Sequence, residues 1–152
     1  MSNRLPLADA KQREDALDIA RSFIVQAPAG SGKTELLSNR YLTLLATVSA
    51  PEEVVAITFT RKAAAEMRAR VLGRLEQAQR VHSGIEPMPE DVHSQLSLQH
   101  AFKVLAQDGK QQWQLLQQSS RLRIQTFDSL CSAIVRQTPL LSGTGGNLQI
   151  EE

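Results

Sequence analysis

Residues 27–34 (APAGSGKT) constrain the fold of this chain more than any other stretch. The short apolar run 23–26 precedes them, and a segment with helical spacing of its leucines follows them. We predict that 23–26 form a buried strand and that the loop leads straight into a helix. A strand, a glycine-rich loop, Lys-Thr and a helix, in this order, are typical of a phosphate-binding loop.

The residue types of this loop suit phosphate and a metal ion. Gly30 and Gly32 have no Cβ atom, so the backbone can curl and present N–H groups to phosphate oxygens. Lys33 can reach the β- and γ-phosphates, and the Thr34 hydroxyl can hold Mg²⁺. These two are the candidate catalytic residues, and Thr34 is the candidate metal ligand. The predicted nucleotide-binding loop consists of Ala27, Pro28, Ala29, Gly30, Ser31, Gly32, Lys33 and Thr34.

One position departs from the strict phosphate-loop pattern. That pattern begins with glycine, and this chain has Ala27 there. The alternative is a glycine-rich turn in front of a helix that carries a surface lysine. The strand and helix patterns on either side favour the phosphate loop.

The composition is that of one globular domain. The chain has 152 residues, of which 41% are apolar and 22% are charged. No apolar run reaches the length that spans a membrane, and the N-terminal residues lack the apolar core of a signal peptide. Cys131 is the only cysteine, so no internal disulfide can form and a reducing compartment fits. We therefore expect a cytoplasmic protein without a membrane partner.

Positive charge is concentrated in one segment. The net charge of the chain is only +1, but residues 61–80 hold six basic and two acidic side chains. This local excess in a near-neutral chain predicts a basic face rather than a basic tail. The basic residues are Arg61, Lys62, Arg68, Arg70, Arg74 and Arg80.

Two further segments have the pattern of strands that alternate with helices. Residues 54–58 are apolar and β-branched, and a helix with an apolar stripe follows from about residue 62. Residues 122–126 predict a third strand, which is again followed by a helix. Strands that alternate with helices predict an α/β fold, in which helices cover both faces of a parallel sheet.

A nucleotide-binding domain of this class normally has more than three strands, one of which ends in an aspartate that holds the Mg²⁺ shell. Glu52 and Glu53 precede their strand and so lie at its wrong end. Asp128 follows a strand, but that strand carries Gln125 and Thr126 where an apolar run is expected. We therefore expect a truncated domain that ends before the second metal-site motif.

Two longer motifs carry a resemblance to a known family. Residues 56–71 (AITFTRKAAAEMRARV) closely resemble the second helicase block of superfamily 1 DNA helicases of the UvrD/Rep type. Residues 124–131 (IQTFDSLC) are similar to the next DNA-contacting motif of that family, and 82–121 resemble a helical insertion of its RecB/AddA helicase-nuclease branch. The resemblance implies a P-loop NTPase of RecA-like fold, with 1–152 as the N-terminal fragment of motor domain 1A.

The resemblance also implies roles for individual residues. Gln12 would read the adenine, with helix capping as the alternative, and Arg40 would lie beside the adenine, with a solvated helix arginine as the alternative. Single-stranded DNA would contact Thr58, Phe59, Thr60, Arg61, Lys62, Thr126 and Phe127. The alternative for Phe59 is a position in the core. Asp128 stands where the family more often has histidine, and we predict that it caps the following helix.

The function that the resemblance implies is that of an ATP- and Mg²⁺-dependent translocase or helicase on single-stranded DNA, in DNA repair or recombination. Exonuclease V-like nuclease subunits or other helicase subunits are the implied partners. We expect the fragment alone to be inactive, because hydrolysis also needs carboxylates, arginine fingers and a second motor domain. The alternatives are a small P-loop kinase or other NTPase, and a non-catalytic DNA-binding module with a vestigial nucleotide site.

Overall fold

The structure, a computed structural model, describes residues 10–28 and 30–137. Within these ranges the helices and strands follow one another in the order α1, α2, β1, α3, α4, β2 and α5. Short 3-10 turns precede each strand, at Pro51–Glu53 and Ser119–Arg121. The elements are α1 Ala10–Asp15, α2 Lys33–Leu45, β1 Val55–Thr58, α3 Arg61–His82, α4 Val92–Gln111, β2 Arg123–Thr126 and α5 Phe127–Gln137.

The sheet consists of β1 and β2, which pair in parallel. Val55 lies opposite Arg123, and Thr58 lies opposite Thr126. The strands predicted at 54–58 and 122–126 are therefore present, and each leads into the helix predicted after it. A parallel pair with a helical crossover confirms the α/β class.

The strand predicted at 23–26 is wrong, since this segment has no regular secondary structure and belongs to no strand. Its backbone makes no ladder hydrogen bond to β1 or β2, and the Ile24 side chain is 99% exposed. The Phe23 ring instead lies under the guanidinium groups of Arg21 and Arg40, at 5.2 and 5.3 Å from its centroid. An apolar run becomes a strand only where cross-strand partners are available, and these cation–π contacts hold the run elsewhere.

Three helices enclose the core beside the sheet. α2, α3 and α4 pack against one another, and α3 also packs against both strands. Fully buried leucines fill the space between these elements: Leu42, Leu45, Leu75, Leu98, Leu115 and Leu122. Helices were expected on both faces of the sheet, but Val55 and Ile57 on β1 are 42% and 51% exposed. Among the described residues the sheet is thus well covered on the α3 face alone.

The segment 82–121 is an integral layer of this core. Its helix α4 contributes Leu98, Ala101 and Val104, all fully buried. Side chains from the same segment donate to the backbone just before β1, from Gln107 Nε2 to Val48 O at 2.8 Å and from Trp113 Nε1 to Ser49 O at 2.9 Å.

An ion pair joins the segment 82–121 to the turn before β1. The Arg121 guanidinium donates to both carboxylate oxygens of Glu52, at 2.6 and 3.1 Å. This bidentate pair holds the pKa of Glu52 below its usual range.

No helix in the described ranges has the length and apolar character needed to cross a membrane.

One polar contact joins α2 to α4 through a histidine. Thr43 Oγ1 and His100 Nδ1 lie 3.1 Å apart, and the imidazole is half-buried. Burial lowers the pKa of His100 below its ordinary value of 6.5, and the charge of Lys103 lowers it further. The folded state therefore favours the neutral imidazole.

We expect the free energy of unfolding to decrease as the pH falls below about 6.5, because the unfolded chain takes up a proton that folded His100 resists. The decrease ends once the pH is below the lowered pKa of the folded state, since both states then carry the proton. Urea unfolding at a series of pH values measures this slope. His100→Gln should flatten it, whereas His82→Gln, at the exposed end of α3, should retain it. An unchanged slope in His100→Gln would contradict the expectation.

Candidate functional site

A cavity of about 450 Å³ lies between α1, the segment 23–27, the glycine-rich loop and α2. Four of the predicted nucleotide-binding residues line it: Gln12, Ala27, Ser31 and Lys33. The cavity wall does not include Pro28, Gly30, Gly32, Thr34 or Arg40. Ala29 lies outside the described residues. The structure thus brings the adenine-reading candidate Gln12 to the same cavity as the loop lysine.

The loop has the backbone conformation that its glycines predict. Gly30 and Gly32 have φ values of 77° and 83°, in the left-handed region that residues with a Cβ atom adopt at a cost. Gly32 is the N-cap residue of α2, which begins at Lys33. The unpaired N–H groups and the dipole of the first turn of α2 therefore lie next to the loop, where an anion is favoured.

Lys33 and Ser31 bring polar groups to the cavity. Lys33 Nζ donates to the carbonyl oxygens of Ala27 and Pro28, the second at 2.7 Å, so the ammonium lies within the curl of the loop. The Ser31 hydroxyl is shielded from solvent and has no hydrogen-bond partner among the described residues. A bound oxygen acceptor would satisfy both groups.

Thr34 lies in the first turn of α2 and is exposed. Its hydroxyl can take one coordination position of a magnesium ion that arrives on a triphosphate, since Mg²⁺ keeps several waters and takes few protein ligands. Within 10–28 and 30–137, no group of three or more His, Cys, Asp or Glu side chains is placed to hold a metal ion. The residues present fit Mg²⁺ only as part of a nucleotide complex.

Arg40 organises the segment behind the cavity. Its guanidinium donates to three backbone carbonyls, of Ala16 at 2.5 Å, Asp18 at 3.0 Å and Arg21 at 2.7 Å. Arg40 is therefore not the solvated surface arginine that was the alternative. It fixes to α2 a stretch of chain that has no sheet partner.

Arg13 was not among the residues predicted for this site. Its Nη2 donates to the Ser31 carbonyl at 2.5 Å, and its side chain lines the cavity. Its position directly after Gln12 was the only signal for it in the sequence.

A second candidate site lies at the carboxyl edge of the sheet. Because Thr58 pairs with Thr126, the residues that follow them, Phe59 and Phe127, leave the sheet at the same edge. Phe59 is 97% exposed and Phe127 is 57% exposed, so the alternative of a core position for Phe59 is wrong. The pairing brings together two motifs that are more than sixty residues apart in the sequence.

Threonine hydroxyls start two helices at this edge. Thr60 Oγ1 accepts from Ala63 N at 3.1 Å and caps α3, and Thr126 Oγ1 accepts from Ser129 N at 3.2 Å at the start of α5. Asp128 was predicted as the cap of α5, and this is wrong because the residue at the end of β2 takes that role. Thr126 is only 7% exposed, while Thr58 Oγ1 donates to the Thr60 carbonyl.

The basic run of α3 does not form a single solvent-facing surface. Arg68 donates to the carbonyls of Ser119 and Ile124, Arg74 lies 3.6 Å from Glu35, and Arg80 pairs with Glu86. The predicted basic face is therefore divided, because four of the six side chains, those of Lys62, Arg68, Arg74 and Arg80, have partners within the fold. Arg61 and Lys62 are exposed at the sheet edge.

Comparison with known proteins gives consistent matches. A profile of the UvrD/REP helicase N-terminal domain matches residues 8–152. DNA helicase II of Haemophilus influenzae is 36% identical over 118 residues, which are 75% of this chain and 16% of the relative. DNA helicase II of Escherichia coli is 35% identical over 115 residues, 75% of this chain and 15% of the relative. ATP-dependent DNA helicase UvrD2 of Mycobacterium tuberculosis is 42% identical over 78 residues, 51% of this chain and 11% of the relative.

The left-handed conformation of the loop can be tested through stability. We expect Gly32→Ala to lower the free energy of unfolding by about 1–2 kcal/mol, because the Cβ atom of alanine lies too close to the backbone in the left-handed conformation. The new Cβ would also lie 3.2 Å from Arg13 Nη1. Gly73→Ala, inside α3 with open space around it, is the matched control and should raise stability by about 0.5–1 kcal/mol. Urea unfolding measures both, and equal effects of the two substitutions would refute the loop conformation.

Proposed function

The chain belongs to the UvrD/REP helicase N-terminal domain family, and on this premise we propose that it is the ATP-binding part of an ATP-dependent translocase or helicase on single-stranded DNA. The relatives that match it are named DNA helicases. The chain spans less than a fifth of the length of those relatives. The observation that carries the proposal is the Thr58–Thr126 pairing, which assembles one exposed edge from two separate motifs.

We propose that the nucleotide binds at the cavity beside the glycine-rich loop. The loop and the start of α2 would hold the phosphates, with Lys33 exchanging its two carbonyl partners for phosphate oxygens. Gln12 would contact the adenine from the wall of the same cavity. Arg40 would act beside the adenine by fixing the chain from Ala16 to Arg21. Bound Mg²⁺ would neutralise phosphate charge, with Thr34 as a ligand.

We propose that single-stranded DNA lies along the carboxyl edge of the sheet. Phe59 and Phe127 present aromatic surface on which bases stack without sequence preference. Arg61 and Lys62 supply positive charge for the neighbouring phosphates, and the first turns of α3 and α5 add donor N–H groups and positive dipole ends. Thr58, Thr60 and Thr126 fix the shape of this edge through their hydrogen bonds.

Hydrolysis is proposed to require more than these residues. β1 and β2 end in Thr58 and Thr126, so neither strand supplies a carboxylate for Mg²⁺ and the attacking water at its end. Phosphoryl transfer depends on such positioned charges and on arginines that stabilise the transition state. We therefore propose that turnover occurs in the complete motor and that this chain alone binds nucleotide without hydrolysing it.

The finer assignment to a branch of the family is also a proposal. The long segment 82–121, proposed as a helical insertion, supports the RecB/AddA helicase-nuclease branch and, with it, nuclease or other helicase subunits as partners in DNA repair or recombination. α4 is packed into the core, so such an insertion would be a permanent part of the domain.

The exposed, unpaired Cys131 fits a cytoplasmic setting that keeps thiols reduced.

Lys33→Ala should weaken binding of a fluorescent ATP analogue by roughly tenfold or more, because a charged hydrogen bond to phosphate is lost. The melting temperature should change little, since Lys33 is not one of the residues of the buried core. Lys110→Ala, an exposed lysine at the end of α4, is the matched control and should bind as the wild type does. Equal affinities of Lys33→Ala and wild type would remove Lys33 from the site.

Phe59→Ala should cost roughly 1–3 kcal/mol of affinity for a labelled oligothymidylate, the value expected for one base–aromatic stack. Its melting temperature should match that of the wild type, because the side chain is almost fully exposed. Ile85→Ala removes a comparably exposed apolar side chain from the turn after α3 and should leave DNA binding intact. Fluorescence anisotropy measures the affinities, and undiminished DNA binding by Phe59→Ala would exclude the stacking role.

A further inference from the structure

We propose that Arg13 is a positioning residue, which holds the glycine-rich loop in the shape that receives phosphate. The inference rests on the proposed function, since it concerns the same cavity. Arg13 lies in α1, eighteen residues before the carbonyl to which it bonds. No motif in the sequence assigns it a role.

The bond from Arg13 controls the direction of one peptide group. Its Nη2 donates to the Ser31 carbonyl, which lies between the left-handed residues Gly30 and Gly32. In a trans peptide the carbonyl and the following N–H point in opposite directions. Holding the Ser31 carbonyl therefore also fixes the direction of the Gly32 N–H, one of the loop donors available to a phosphate oxygen.

The guanidinium also occupies the space that a side chain at Gly32 would need. A Cβ atom there would lie 3.2 Å from Nη1 and 3.8 Å from Nη2 of Arg13. The absence of a side chain at Gly32 thus allows Arg13 to lie against the loop backbone. The glycine serves both the backbone conformation and this close approach.

The position of Arg13 links the two ends of the proposed nucleotide. It is the neighbour of Gln12, and both side chains line the cavity. The segment between α1 and the loop has no partner in the sheet. A bond from α1 to Ser31 therefore sets the distance between the adenine side and the phosphate side of the cavity directly, without relying on the sheet.

The rival role is direct contact between the guanidinium and a phosphate. The two roles differ in the chain without nucleotide, because only a positioning residue orders the loop before the ligand arrives. The test uses the full chain with Arg13→Met, and with Lys11→Met as the matched control. Lys11 is an exposed cation in the same short helix and does not line the cavity.

Hydrogen exchange of the Ser31 amide, which donates to the Pro28 carbonyl at 3.3 Å, is the first measurement and is made without nucleotide. Arg13→Met should accelerate this exchange, while Lys11→Met should leave it unchanged. In a second measurement, displacement of a fluorescent ATP analogue, Arg13→Met should weaken ATP by roughly tenfold and leave adenosine, which has no phosphate, unaffected.

Three results would separate the possibilities. Unchanged exchange together with weakened ATP binding would overturn the positioning role in favour of direct contact. Unchanged exchange and unchanged ATP binding would overturn any role of Arg13 at the loop. If the wild-type chain bound no ATP, the proposed function would fail, while accelerated exchange in Arg13→Met would still support the positioning of the loop.

Discussion

The parallel pairing of β1 with β2 is the contact on which both the fold and the DNA-binding proposal depend. It sets Thr58 beside Thr126 and so delivers two aromatic residues and two helix starts to one edge. Arg68 reinforces it from α3, because its guanidinium donates to Ser119 O at 2.7 Å and to Ile124 O at 2.9 Å. Charged hydrogen bonds of this kind contribute about 1.5–3 kcal/mol each where they are shielded from water. Arg68 was counted in the predicted basic face, but its guanidinium instead holds β2 in register.

The proposed nucleotide-binding side is held together differently. The segment between α1 and the glycine-rich loop has no sheet partner, and side-chain cations fasten it to the rest of the domain. Arg40, which lies in α2, donates to three carbonyls of this segment, and Arg13, which lies in α1, donates to the Ser31 carbonyl. Lys33 donates to carbonyls of the loop itself. Such contacts fix this segment and the loop backbone beside the cavity without sheet pairing. The N-terminal part of the domain therefore depends on a few charged hydrogen bonds, whereas the helical layer depends on buried leucines.

The sequence predicted those elements whose signal is local. β1 is apolar and β-branched, Leu122 and Ile124 alternate with polar residues at β2, and the stripe of α3 recurs at helical spacing, so that Val71 and Leu75 are buried as expected. Residues 23–26 have the same local signal but lack a pairing partner, and pairing is a property of the whole fold. Thr126 and Asp128 were both able to cap α5, and only the position of the helix start decides between them. Charge counting alone does not reveal that Arg68 and Arg40 serve backbone carbonyls, since those carbonyls are distant in sequence.

We propose that this chain has two separate sites, one for nucleotide phosphates and one for single-stranded DNA. Both can be located by the amide chemical shifts of the labelled chain, followed during titration with Mg–ATP and then with an oligothymidylate. We expect ATP to move the signals of residues 30–34 and the neighbourhood of Gln12, and DNA to move those of 58–62 and 127–129. DNA that left the sheet edge unchanged, or ATP that left the loop unchanged, would refute the two-site proposal.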